Sequence, residues 1–201
     1  MFKKNNYNYL EDLPLEKIPF ENNIKSDINY MLILRENSLF KKKIYGLILP
    51  RDQIKNVNEK FIKQFSQFTF TDNLTKLHFK YQNNKIGKII NYSKENRSIE
   101  YKYNLIHINK DLTDNITINK YAENHNIIYS LNEKNQYYYK LLFDFILEGY
   151  LTESIKNHIL IDDHNNNLFE SLKLDKNLII IAFKTPIKNF DAFYLGVSIF
   201  I

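Results

Sequence analysis

Between Phe68 and Ile108 the side chains alternate in character with a period of two, and this limits what the chain can become. Leu77, Phe79 and Tyr81 interleave with Lys76, His78 and Lys80. Ile86, Lys88 and Ile90 follow on one face after a turn at Asn83-Asn84. A polar turn from Ser93 to Arg97 leads to Ile99, Tyr101, Tyr103 and Leu105, set against Glu100, Lys102 and Asn104. Residues two apart share a face of a strand but not of a helix. The pattern predicts an antiparallel meander with one face on a core and the other in water.

The flanking segments predict more strands and some helix. Residues 29–35 and 42–49 read as a buried hairpin ended by Pro50. Ile54, Val57, Phe61, Ile62 and Phe65 recur at helical spacing behind Asp52, which is placed to cap the first turn. Short strands are expected around Ile116/Ile118 and Ile127/Tyr129. Residues 134–148 have a helical pattern closed by Gly149, and residues 158–162 read as a strand. The apolar runs in 177–184 and 192–201 read as two late, central strands. The fold class expected is therefore α+β: a mostly antiparallel sheet with two or three helices packed on one side. Residues 1–23, broken by Pro14 and Pro19, read as an irregular N-terminal arm. Residues 24–201 read as a single α+β domain, since no linker or repeat divides them.

Composition narrows the function classes. Asn (28), Ile (28), Lys (25), Phe, Tyr and Met make up more than half of the 201 residues. All have codons rich in A and T, so the expectation is an AT-biased genome such as that of a virus, mobile element, organelle or parasite. The net charge is +5, but only Arg35, Arg51 and Arg97 are arginines. Lys lacks the planar fork that grips phosphate and guanine, so the charge allows weak nucleic-acid contact rather than dedicated binding. The chain has no Cys, which removes disulfides and thiolate chemistry. Its four glycines are scattered and form no phosphate-cradling loop, so no nucleotide cofactor is expected. The N-terminus lacks the apolar stretch of a secretory signal, and no run of about 18 apolar residues is present. An intracellular protein without membrane attachment is the resulting expectation.

Three groups of residues suggest chemistry. Glu100 and Lys102 would share a strand face, as in metal-dependent nucleases where a carboxylate holds the ion and a lysine stabilises phosphoryl charge; Asp72 or Glu95 would have to supply the second acid. Glu-x-Lys is also a common solvated pair in a lysine-rich chain. His158, Asp162 and His164 would share a face of a strand and could ligate a metal, yet residues 163–167 also spell a turn. Tyr137-Tyr138-Tyr139 beside Lys140 offers aromatic surface, although on a helix three successive residues face three directions. Taken together, these features predict a non-enzymatic protein that binds another macromolecule, most simply a protein, with Tyr7, Tyr9 and Leu10 of the arm or an exposed meander edge as contacts. The alternative is a metal-dependent nuclease or hydrolase using Glu100, Lys102 and Asp72.

Overall fold

The structure, a computed structural model, describes residues 28–38, 41–73, 76–82, 84–112, 115–133 and 154–200. The arm carrying Tyr7, Tyr9 and Leu10, the helical pattern at 134–148 and the tyrosines at 137–139 lie outside these residues. Strands β1 (Ile28–Asn37) and β2 (Lys41–Leu49) form the first hairpin. A short 3-10 helix (Arg51–Asn56) and α1 (Glu59–Phe65) follow. The wall continues through β3 (Phe68–Asn73), β4 (Lys76–Tyr81), β5 (Asn84–Tyr92), β6 (Asn96–Tyr101) and β7 (Asn104–Lys110). It is completed by β8 (Ile116–Tyr121), β9 (Ile127–Glu133), β10 (His158–Ile161), β11 (Asn167–Asp175) and β12 (Leu178–Lys184). Helix α2 (Asn189–Phe200) comes last.

Each strand pairs antiparallel with its neighbours in sequence, and β1 pairs with β12 to close the sheet into a barrel of 12 strands. This corrects the expected α+β class. The helices do not form a layer on one side of an open sheet, and the meander offers no free edge in this closed wall. The second correction concerns residues 192–201, which are helix rather than strand as far as Phe200. Ten residues of α2 are buried, distributed around its whole circumference. Its side chains meet the wall on every side: Phe193 stacks on Phe68 of β3, Phe190 meets Phe79 of β4 and Tyr101 of β6, and Asp191 reaches β8 and β9. Helix α2 is thus threaded through the bore. A helix buried all round has no amphipathic period, so its short apolar run is indistinguishable from a central strand.

The wall has two kinds of strand. From β4 to β9 the apolar side chains point into the bore and the outer face is largely polar, as alternation predicts. Lipid-facing barrels have the reverse arrangement. In β1, β2, β11 and β12 both faces are covered. Met31, Ile33, Ile179 and Ile181 join the bore, while Leu32, Leu34, Leu47 and Ile180 form a second core with Ile54 and Ile62 of the 3-10 helix and α1. These strands therefore read as continuous apolar runs. The predicted single helix from residue 52 is instead two short pieces. Asn58, not Asp52, caps α1 by accepting from the Phe61 amide at 2.9 Å. No helix among the described residues is long and apolar enough to cross a membrane.

Close approach and a buried charge pair fix α2 in the bore. A Cβ on Gly46 of β2 would stand 2.5 Å from Phe193, and one on Gly196 would stand 2.9 Å from Ile33. Glycine is what lets helix and wall come into contact at both points. Near the start of α2, Asp191 is fully buried and accepts from Lys120 Nζ at 2.6 Å, itself almost fully buried. Tyr129 donates to the same carboxylate at 3.3 Å, as does the Lys188 amide, and Tyr101 donates to its other oxygen. The Lys120 ammonium lies 5.5 and 5.7 Å from the Tyr101 and Tyr129 ring centroids. Burial and then the Asp191 charge push both phenol pKa values well up, so they remain donors.

Two stability measurements test this account. Gly196→Val should lower the urea midpoint by the equivalent of about 1–3 kcal/mol, although valine is the better helix former; an unchanged midpoint would contradict the close contact. Lys120→Met alone should cost about 3–5 kcal/mol by stranding Asp191. Adding Asp191→Leu should recover most of that loss, and no recovery would show that the pair is not the source of the penalty.

Candidate functional site

Strands of an up-and-down barrel deliver alternate connections to opposite ends. The end where α2 finishes carries the connections β5–β6 and β7–β8 and the starts of β10 and β12. A helix ending inside a protein leaves its last carbonyls without partners. Three long cations from three parts of the wall supply them. Arg97 of β6 donates to Ser198 O, Lys156 to Ile199 O, and Arg35 of β1 to Phe200 O at 3.2 Å. The Arg35 guanidinium also lies 5.0 Å from the Phe200 ring centroid. Positive charge at this end complements the negative pole of the helix dipole, as Asp191 complements the positive pole at the other.

Above the helix end lies a cavity of about 630 Å³. Its deep surface is apolar, formed by Ile118, Leu160, Phe169 and Leu195. Its mouth carries Lys94, Glu95, Lys110 and Asp111 from the two connections, with Leu112 and Ile155 exposed at the rim. Glu133, at the end of β9, meets His158 Nδ1 at 2.5 Å and accepts from the Ile116 amide at 3.2 Å. The His158 amide donates to Ser171 Oγ at 3.0 Å, and that hydroxyl donates to Lys156 O at 2.9 Å. This chain of contacts fixes Lys156 and His158 against the wall. Burial lowers the Lys156 pKa, and the nearby charges of Arg35, Arg97, Lys110 and Lys173 lower it further.

The residues singled out by sequence are placed as follows. Glu100 is exposed on the outer face of β6 and pairs with Lys88 of β5 at 2.9 Å. Lys102 does not continue that strand; it lies in the β6–β7 turn with φ of 47°. Such a position usually takes glycine, so Tyr103 and Leu105 looked like further alternating strand positions. Asp72 is on β3, separated from β6 by two strands, roughly 14 Å at the usual inter-strand spacing. These three side chains are not brought together. His158 opens β10 at the cavity end, whereas Asp162 and His164 lie in the β10–β11 turn at the opposite end. There Asp162 accepts from the amides of His164 (2.9 Å) and Asn166 (2.8 Å), and Asn165 takes φ of 63°. The turn interpretation of this segment describes what is seen. Among the described residues no three His, Asp or Glu side chains are grouped to hold a metal ion.

Sequence reasoning passed over the Lys120–Asp191 pair and the three cations at the helix end. A signal for the pair was present: Lys120 continues the inward lane of Ile116 and Ile118, and Asp191 interrupts an apolar run, with opposite sign. No known family model matches the chain, and no curated protein matches it either.

The cation cluster makes a pH-dependent prediction. Because Lys156 holds its proton less tightly folded than unfolded, the unfolded chain binds more protons between the lowered value and the ordinary 10.5. Stability from this group should therefore rise as pH rises through that window. In urea titrations, Lys156→Gln should remove that rise relative to the parent chain, while contributions from the tyrosines cancel in the difference. Parallel curves for the two proteins would contradict the assignment.

Proposed function

We propose that this chain is a non-enzymatic binding protein that engages a protein partner through the barrel end opposite the cavity. The observation that carries this reading is a row of large apolar side chains at successive hairpin tips. Tyr81, Tyr103 and Ile127 flank the β4–β5, β6–β7 and β8–β9 connections, and are 39%, 71% and 63% exposed. These connections all fall at one end and recur every second strand, so the tips are spaced by roughly 10 Å. Together they form a crest about 20 Å long, the width of a small interface, in which tyrosine supplies both area and a polar handle. Lys80, Lys85 and Lys102 stand beside it, which favours a partner with acidic groups around an apolar centre.

The rest of the molecule supports a scaffold role. The bore is occupied by α2, so recognition falls to the outer surface and the two ends. A metal-dependent hydrolase would need acidic or imidazole groups converging on one point, and Glu100, Lys102 and Asp72 do not converge.

Site-specific photo-crosslinkers test the reading. Placed at 81, 103 and 127 in the full chain and exposed to extract of the source cells, they should all capture one and the same protein. A crosslinker at 112, on the other end, should not. Tyr103→Asp with Ile127→Asp should reduce recovery of that protein about tenfold at unchanged melting temperature. Equal capture from 112, or capture from none of the tips, would overturn the proposal.

A further inference from the structure

We infer that residues 10–21 of this chain occupy the hairpin-tip crest from within the same molecule, in competition with its partner. The competition rests on the partner reading given above; the contact itself does not. The crest is suited to an acidic, apolar stretch of chain. Lys80 and Lys85 are register partners across the β4–β5 hairpin, so two like charges stand directly opposite each other. Such an arrangement costs stability, and a nearby anion relieves it. Both lysines are exposed, as is Lys102 in the next tip, and none of the three pairs with a carboxylate among the described residues. Glu123, in the β8–β9 connection, is the acid at these tips, and Glu100 is held by Lys88. Asp162 and Asp163 lie at the same end but two strands further round.

Residues 10–21 have the complementary composition. They carry Glu11, Asp12, Glu16 and Glu21 against Lys17 alone, a net charge of −3 in a chain whose net charge is +5. Leu10, Leu13, Leu15, Ile18 and Phe20 recur among these acids every two or three positions. In an extended chain that is about 7–10 Å, close to the roughly 10 Å between tips. Pro14 and Pro19 disfavour a competing helix. The segment also enters at the right end. Ile28, the first residue of β1, is the register partner of Lys184, where β12 ends and the chain passes to the start of α2. From β1 to the β4–β5 tip is three inter-strand steps, roughly 14 Å. Residues 22–27 can bridge up to about 20 Å. Phe20 and Glu21 therefore reach Tyr81, Lys80 and Lys85 first, and Ile18 and Glu16 then reach Tyr103 and Lys102. A tether this short holds the segment at an effective concentration in the millimolar range. A contact too weak to persist between free molecules is thus populated within one, and an external partner of the same chemistry must displace it.

A photo-crosslinker at position 103 in the purified full chain, with no extract present, tests the contact. Irradiation should join it to a peptide within residues 10–21. A mixture of isotopically light and heavy chains should give light–light and heavy–heavy products only. A crosslinker at 112 should give no such product. Glu16→Lys with Glu21→Lys should lower the yield about fivefold or more, as should Lys80→Glu, Lys85→Glu and Lys102→Glu together. Combining the two sets should restore the yield to within about twofold of the parent, which a mere change in folding would not do. In source-cell extract, Glu16→Lys with Glu21→Lys should raise recovery of the partner about fivefold. Four results would overturn the inference: mixed light–heavy products, which place a second copy's segment on the crest; no product within 10–21; equal product from 112; or no restoration by the combined variant. Partner recovery unchanged or lowered by the Glu16 and Glu21 reversals would overturn the competition. If no chain captures a partner from extract while the purified parent still links 103 to 10–21, the partner reading fails and the contact stands.

Discussion

Asp191 carries a carboxylate into an apolar bore, and Lys120 and two tyrosines meet it there. The position of α2 depends on this contact. A carboxylate buried without partners would cost several kcal/mol, so the helix has one depth and one rotation at which its first turn is tolerated. The same logic operates at the other end, where Arg97, Lys156 and Arg35 take up the last carbonyls. Between the two polar ends the contacts are apolar and close, with Gly46 and Gly196 marking where backbone and ring or helix and wall approach most nearly. Charge sets the register of the plug, and packing holds it.

This arrangement places the surfaces available for recognition. Because the interior is occupied, neither end opens into a through-channel. One end closes on the start of α2 and presents hairpin tips with exposed tyrosine and isoleucine. The other closes on the end of α2 and carries a cavity edged with charged side chains of both signs. The helix therefore divides one barrel into two faces of different chemistry. The 3-10 helix and α1 pack on the outer wall at β1 and β2, while β4 to β9 form the side with the polar outer surface.

How much of this the sequence discloses depends on local pattern. Alternation in β4 to β7 follows from one wet face and one dry one, and it is visible without knowing what lies on the dry side. Closure is not visible in this way. The pairing of β1 with β12 joins Ile28 to Lys184, and nothing local in either strand announces the other. Helix α2 is obscured for a different reason: residues 190–200 are buried on all sides, and all-round burial erases the period that identifies a helix. Lys102, with φ of 47°, turns the chain at a position where glycine or asparagine would have signalled a hairpin. Spacing alone puts Glu100 and Lys102 on one strand face, and the turn at Lys102 removes that relation. The cations at the helix end come from residues 35, 97 and 156, too far apart in sequence to form a motif.

The closing pair of strands also governs how the molecule is made. Of the strands described, β1 is made first, yet its partner β12 lies roughly 150 residues later, with the plugging helix later still. The inner faces of a half-built wall thus remain open to solvent during most of synthesis, and such high-contact-order closure is slow. Biogenesis, more than equilibrium stability, is where a chain of this architecture is most vulnerable to aggregation.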